Sequence, residues 1–389
     1  MRLAIYAVLG VAGALLGATP SIAGDTIKIG MIGPYSGLYA DLAKRQQNGA
    51  NLYLKLHDGH MAGKKVELLF RDDNNGSPDV AKRLSQELAI RDNVDILSGY
   101  ISTPSALSSG PVATAAKKPM LIIQAATSGI TEKSPYVARL SYTIGQVAAP
   151  LGTWAAKNGI KTVFTLVSDY GPGYNGLAAF SKTFTAGGGK IVGGIKVPLA
   201  NLEFGPFVQR AKDAKPDAVF IFVPAGETAT ALMKTVAERG LGKAGIRLIT
   251  SGDVVSEIGL DAIGDSALGV ISSFHYSAAH DSPENKAFIE AYAKEFGPQV
   301  RPDFIAMQAY DTMATIDIIA TQLKGDLDPE KFIAALKNFK LNSPRGPIVI
   351  DANTREVVQD VYIRRVERRN GRLENIEFDK IAAVHDPGK

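Results

Sequence analysis

The chain has no cysteine and a single tryptophan in 389 residues. Without thiols it has no disulfide framework, no cysteine-ligated zinc or iron–sulfur centre, and no cysteine nucleophile. It also lacks a strong excess of either charge. The 43 basic and 39 acidic residues leave +4, a poor match to a nucleic-acid binder that gathers basic residues on one face. No GxxxxGK(S/T), HExxH or GxSxG segment occurs, so phosphate-loop, zincin and nucleophile-elbow chemistry have no anchor. Gly30, Gly33 and Gly37 follow a GxxGxxxG spacing rather than GxGxxG, and Pro34 removes an N–H that a pyrophosphate needs. His57 and His60 (HDGH) sit i, i+3 beside a turn and read as surface histidines rather than a metal pair. No cofactor and no metal are expected.

Long apolar runs are also scarce. Residues 3–16 form one, preceded by Arg2 and followed by Pro20 and the small-residue pattern Ser21-Ile22-Ala23. That is the layout of a secretory signal peptide over residues 1–23. The run is short of the about 18 residues that a membrane span needs. Past it no segment approaches that length, and no cysteine follows that a lipid anchor would require. An exported chain that uses no disulfides suits a bacterial periplasm.

The remainder alternates between two periods. Short apolar, β-rich runs fall at 26–32, 65–70, 94–97, 119–123, 161–167, 191–197, 218–223, 246–250 and 268–274. Runs without polar interruption suit strands buried on both faces of a parallel sheet. Between them lie helical stretches at 41–56, 79–90 and 227–239, with Ser77-Pro78 marking a start and Gly240 a stop. Further helices are expected at 283–296, 303–323 and 329–339, and late strands at 347–350, 359–365 and 373–381. The pattern predicts an α/β protein with two βα blocks, 25–141 and 146–250, each opening on a strand. Residues 140–145 lack a helical period and read as a hinge. Arg364, Arg365, Arg368 and Arg369 are interspersed with Glu367, Glu374, Glu377 and Asp379, so a solvated hairpin face is expected there.

In such a fold, ligands sit beyond the carboxyl ends of the strands. Gly99-Tyr100-Ile101-Ser102-Thr103-Pro104-Ser105 follows a strand and opens a helix. Hydroxyls and helix-start N–H groups there suit a carboxylate without any fixed positive charge. Gln124-Ala125-Ala126-Thr127-Ser128 repeats the arrangement after the next strand, and its alanines let a ligand approach the backbone. Either loop also reads as a plain N-cap. In the second block, the 168–174 loop presents Tyr170 and Tyr174. Asp253 stands at another strand end, placed either to pair a ligand ammonium or to cap a following helix. Tyr35 and Tyr39 follow the first strand, available for stacking on an aromatic ligand or for packing.

In order and spacing, IKIGMIGPYSG, LFRDDNNGSPDVA, ILSGYISTPSALSSGPVA, PMLIIQAATSGIT, DYGPGY and DAVFIFVPAGE resemble the periplasmic leucine/isoleucine/valine-binding proteins, the type I solute-binding components of ABC transporters. The resemblance implies two doubly wound lobes joined by a three-crossing hinge, 25–142 plus 275–345 and 143–274 plus 346–389. It places a carboxylate site on Ser102, Thr103, the backbone of Ala125 and Ala126, and Thr127, and an ammonium site on Asp253, where the family often has glutamate. The family's aromatic in the 170–174 loop aligns strictly with Gly173, and another family tyrosine aligns near Ala225, where this chain has none. The implied protein is a periplasmic monomer and not an enzyme. It delivers a small carboxylate, by default a branched-chain or related amino acid and alternatively an aromatic or other non-amino carboxylate, to a membrane permease and ATPase. No nucleic acid is involved. A dehydrogenase or hydrolase, or a ligand-sensing module for a signalling partner, are the competing classes.

Overall fold

A computed structural model describes residues 26–199 and 203–388; the expected signal peptide lies outside them. Two sheets divide the strands. The first has β1 (Thr26–Gly33), β2 (His60–Met61), β3 (Lys64–Asp72), β4 (Ile96–Gly99), β5 (Met120–Ile122) and β6 (Val137–Arg139), in the order β2-β3-β1-β4-β5-β6. All its pairings are parallel except β2 with β3. The second begins with β7 (Thr162–Ser168), β8 (Lys190–Val197), β9 (Ala218–Phe222), β10 (Arg247–Ser251) and β11 (Ile271–Phe274), all parallel. Its antiparallel flank is β12 (Lys340–Ser343), β13 (Gly346–Ile350), β14 (Val357–Arg369) and β15 (Arg372–Val384).

Helices cover the sheets because the central strands are apolar on both sides. All five residues of β9 are buried, and each large side chain so placed stabilises the fold by roughly 1.5–3 kcal/mol. The first sheet's connections carry α1 (Ala40–Leu56), α2 (Pro78–Gln86) and α3 (Thr103–Ala116). Those of the second carry α4 (Ile144–Lys157), α5 (Gly171–Ala186), α6 (Gly205–Asp213), α7 (Glu227–Glu238) and the short α8 (Leu260–Ile263). Next come α9 (Pro283–Phe296), α10 (Phe304–Gln322) and α11 (Pro329–Leu336). The outer half of α10 and all of α11 pack into the first sheet's core.

The strand–helix alternation matches expectation, with one correction. The second block opens on a helix, not a strand: α4 begins at Ile144, inside the 140–145 stretch read as a hinge. Thr143 and Gln146 form a reciprocal capping box there, and the Gln146 amide also donates to the carbonyls of Val357 (2.8 Å) and Val384 (2.9 Å). Residues 140–143 are therefore one passage between the sheets, held at its end by a helix cap. The return passages follow β11 and α11. Arg345, in the turn between β12 and β13, is buried and donates to the carbonyls of Leu140 and Ser141 on the first passage, while pairing with Asp311 of α10 at 3.2 Å. One guanidinium thus ties the first passage to the β12–β13 turn and to α10.

A second correction concerns Arg364. It does not lie on a solvated face but is fully buried. It donates to Ser272 Oγ and to the Tyr276 carbonyl, and its guanidinium lies over the Phe274 ring at 5.1 Å. Its neighbour Arg365 points outward, as strand alternation requires.

Candidate functional site

In each sheet the chain reverses its direction of growth at one point. In the first, β3 lies on one side of β1 and β4 on the other; in the second, β8 and β9 flank β7 in the same way. Ligands of open α/β sheets bind beyond the strand ends at such points. Here the two points face each other across a cavity of ≈ 170 Å³.

The first wall is built by strained backbone. Gly99 and Tyr100 both have positive φ (100° and 62°), and a Cβ on Gly99 would drive into the Ile32 carbonyl. This turn brings Ser102 and Thr103 to the cavity. Ser102 caps α3: its Oγ accepts from the Ser105 N–H at 3.2 Å and meets Ser105 Oγ at 2.8 Å. Ser105 in turn donates to the buried Asp73 at 2.7 Å, which also accepts from the Gly76 N–H. Thr103 Oγ1 lies 2.9 Å from Thr127 Oγ1. The next loop is shaped by Arg139, a residue that sequence reasoning did not single out. Fully buried, it donates to the carbonyls of Ala125 and Thr127, both at 2.7 Å, and to Glu356 at 3.0 Å. With those carbonyls tied back, the Ala126 backbone lines the cavity. Among the described residues, no acceptor is bonded to the N–H groups of Thr103 or Ala126. The Thr103 N–H stands at the start of α3, where the peptide dipoles favour an anion, and the Ala126 N–H lies in the loop that follows β5.

The second wall is mostly aromatic and apolar. Tyr170 lies parallel to Phe222, with centroids 6.2 Å apart, and Pro172, Pro224 and Ala225 complete it. Tyr39, Leu42 and Ile101 face them from the first side. Leu42, Ile101 and Ala126 share one buried cluster with Phe222 and Ala225, so the sheets meet around the cavity.

One polar corner remains. Asp253 is 3% exposed, and its Oδ1 accepts from the Tyr142 hydroxyl at 2.5 Å. Gln124 Nε2 approaches the same hydroxyl at 3.5 Å. Asp253 Oδ2 and Gln124 Oε1 have no partner. Burial pushes the Asp253 carboxyl up to about 6, against the pull of the Tyr142 and Ser251 hydroxyls, the local backbone and the Arg364 charge. The same burial, with the Asp253 charge, holds the Tyr142 and Tyr170 hydroxyls well above their usual range, so both are neutral. Gly252 makes the corner compact, since a Cβ there would strike Phe274 and the Arg364 guanidinium. His275 stacks on Tyr142 (4.6 Å, 23°) and is kept neutral by burial beside Arg345 and Arg364. Among the described lining residues, Asp253 is the sole ionisable carboxylate, and no lysine, arginine or histidine lines the cavity.

Of the residues expected from sequence, Ser102, Thr103, Ala126, Tyr39, Tyr170 and Asp253 line this cavity, whereas Ala125, Thr127, Tyr35 and Tyr174 do not. Ala125 is buried behind the loop, with its N–H given to the Tyr100 carbonyl at 3.0 Å, so it has no donor left for a ligand. Thr127 is engaged with Thr103. Tyr35 packs edge-on to Phe70 and accepts from Gln46 at 3.2 Å. Tyr174 is exposed, donates to Asp169 at 2.6 Å and lies under Lys196. Asp253 caps no helix; the next one starts at Leu260. The unforeseen lining residues include Gln124, Tyr142, Leu42 and Phe222. Gln124 was within reach of sequence reading, since it opens the loop already singled out.

Comparison with known proteins adds four findings. The family model for periplasmic binding proteins matches residues 26–372. A solute binding protein of an ABC transporter from Rhodopseudomonas palustris BisB5, solved in complex with 3,4-dihydroxybenzoic acid, is 51% identical. The match covers 94% of this chain and 99% of that one, with a TM-score of 0.91. Another R. palustris solute binding protein, in complex with 4-hydroxybenzoate, is 41% identical over 93% of this chain and 99% of its own, with a TM-score of 0.89. Leu/Ile/Val-binding protein homolog 6 of Brucella melitensis is 38% identical over 94% of both chains.

Proposed function

The chain belongs to the periplasmic binding protein family, as a type I solute-binding component of an ABC transporter, and on that premise we propose that its cavity captures an aromatic carboxylate of the benzoate class for import. The observation that carries this reading is the lining: the rings of Tyr39, Tyr142, Tyr170 and Phe222 with Leu42 and Ile101 surround the space between a helix N-terminus and one tyrosine-bonded carboxylate. A flat ring buries both faces against such walls. Its carboxylate meets the N–H groups of Thr103 and Ala126 and the Thr103 hydroxyl, a neutral donor set that suits an anion. The relatives in complex with hydroxylated benzoates support the same class.

A branched-chain amino acid, the default expectation, fits this lining less well. Its ammonium would have only the Asp253 and Gln124 corner to meet it, inside a lining that is otherwise largely aromatic and apolar. Ala225, where the family's tyrosine is absent, widens the space beside Phe222 for a ring.

In this reading residues 25–142 with 275–345 form one lobe and 143–274 with 346–389 the other. Ligand touching both walls favours the closed arrangement, because only differential affinity can shift that equilibrium. Capture makes and breaks no covalent bond. A cleaved 1–23 signal places a monomer in the periplasm, where it hands ligand to the permease and ATPase.

Thermal unfolding of purified protein tests the proposal against benzoate, 4-hydroxybenzoate, 3,4-dihydroxybenzoate, leucine, isoleucine and valine. At 100-fold its Kd a ligand adds about 2.7 kcal/mol. The acids should raise Tm and the amino acids should not. A shift with leucine and none with any acid refutes the reading.

A further inference from the structure

Two acceptor atoms in the polar corner are left without donors, and both belong to side chains about nine-tenths or more buried. Asp253 is 3% and Gln124 9% exposed, yet Asp253 Oδ2 and Gln124 Oε1 have no partner. Buried acceptors without donors are costly and uncommon. Both side chains line the cavity. Both also meet at one point: their other heteroatoms contact the same Tyr142 hydroxyl oxygen, at 2.5 Å and 3.5 Å. Each orphan oxygen therefore lies only one carboxyl or amide width beyond a group touching that oxygen. Tyr142 cannot satisfy either, because its single proton is given to Asp253 Oδ1.

Building on the aromatic-acid reading, we infer that this corner reads two adjacent ring hydroxyls, so that the preferred ligands are vicinal dihydroxy aromatic carboxylates. The donor and acceptor counts close. One hydroxyl donates to Asp253 Oδ2 and its neighbour to Gln124 Oε1. The ligand's carboxylate, a pure acceptor, is turned away towards the N–H groups of Thr103 and Ala126. A monohydroxy acid leaves one buried acceptor unpaired, and benzoate leaves two. An ammonium meets the corner differently: it brings three donors on one atom to a neutral amide and one carboxyl. Sites built to hydrogen-bond a ligand hydroxyl discriminate strongly against analogues that lack it.

Calorimetric titration of the full mature protein with 3,4-dihydroxybenzoate, 4-hydroxybenzoate and benzoate tests this. Each hydroxyl removed should weaken Kd by about 10- to 100-fold. In Gln124→Leu, which keeps the side chain's bulk and removes its acceptor, the Kd ratio between the dihydroxy and monohydroxy acids should collapse towards one. Unfolding curves confirm that the variant is folded, and the wild-type series stands without it. Equal Kd values for the three acids overturn the inference while leaving the aromatic-acid reading intact. Retention of the full ratio in folded Gln124→Leu removes Gln124 from the role and overturns the two-hydroxyl reading. Binding of leucine with no heat from any acid overturns both.

Discussion

Asp253 gives the sharpest quantitative handle on the site. Its carboxyl sits at about 6 in the folded protein against 3.8 for an unperturbed group, chiefly because it is buried. The sign follows directly. Below about pH 4 the carboxyl is protonated whether the chain is folded or not. Between 4 and 6 the unfolded chain releases the proton and the folded chain keeps it, so stability falls as pH rises; above 6 the loss is complete. A difference of about two pH units corresponds to about 3 kcal/mol. Urea unfolding at pH 4, 5, 6 and 7 should show this loss in ligand-free wild type relative to Asp253→Asn. Asp311 is also pushed up to about 6 by burial, but it is present in both proteins and cancels from the difference. Ligand should act in the opposite sense, since a hydroxyl donated to Oδ2 stabilises the carboxylate, and affinity should tighten as pH rises through about 6. A difference curve that is flat from pH 4 to 7 would refute the reasoning, because a buried carboxyl lacking an ion pair cannot titrate like a free one.

Arg139→Met removes the donor that ties back the Ala125 and Thr127 carbonyls and leaves Glu356 buried without its cation. It should cost about 3–5 kcal/mol by chemical denaturation, and where the variant is folded, ligand Kd should rise at least about tenfold. Arg345→Met unties the 140–143 passage from the β12–β13 turn and leaves Asp311 without its cation; a loss of similar size is expected, read from the same denaturation curves. Tyr170→Ala strips one aromatic face from the cavity and should weaken ligand by about 1–3 kcal/mol, whereas Tyr174→Ala, on an exposed residue paired with Asp169, should leave Kd unchanged by titration.

The framework was legible because it is written locally. Apolar runs such as AVFIF in β9, and start signals such as Ser77-Pro78 and Ser282-Pro283, depend on residues close in sequence. Strand ends could then be searched for donors, which is how Ser102, Thr103, Ala126, Tyr170 and Asp253 were found. What stayed hidden is made by partners far apart. Tyr142 reaches Asp253 across 111 positions, and Arg139 reaches Glu356 across 217. No spacing rule points to either contact. The Arg364 error has a different source. A run of charges was read as one solvated face, although adjacent strand residues point to opposite sides, so Arg364 and Arg365 had to part. Tyr174 misled by composition, since the loop offers two tyrosines and the turn into α5 directs only Tyr170 towards Phe222. The block boundary at 146 was misread because α4 is capped at Thr143 by a box whose Gln146 member was assigned to the following block.

The most direct test of aromatic-acid capture is a crystal structure of the protein grown with 3,4-dihydroxybenzoate. The account predicts density between Tyr170 and the first wall, with the carboxylate within hydrogen-bond distance of the Thr103 and Ala126 N–H groups and the two hydroxyls at Asp253 Oδ2 and Gln124 Oε1. A ligand bound elsewhere, or one with its carboxylate turned towards Asp253, would contradict it.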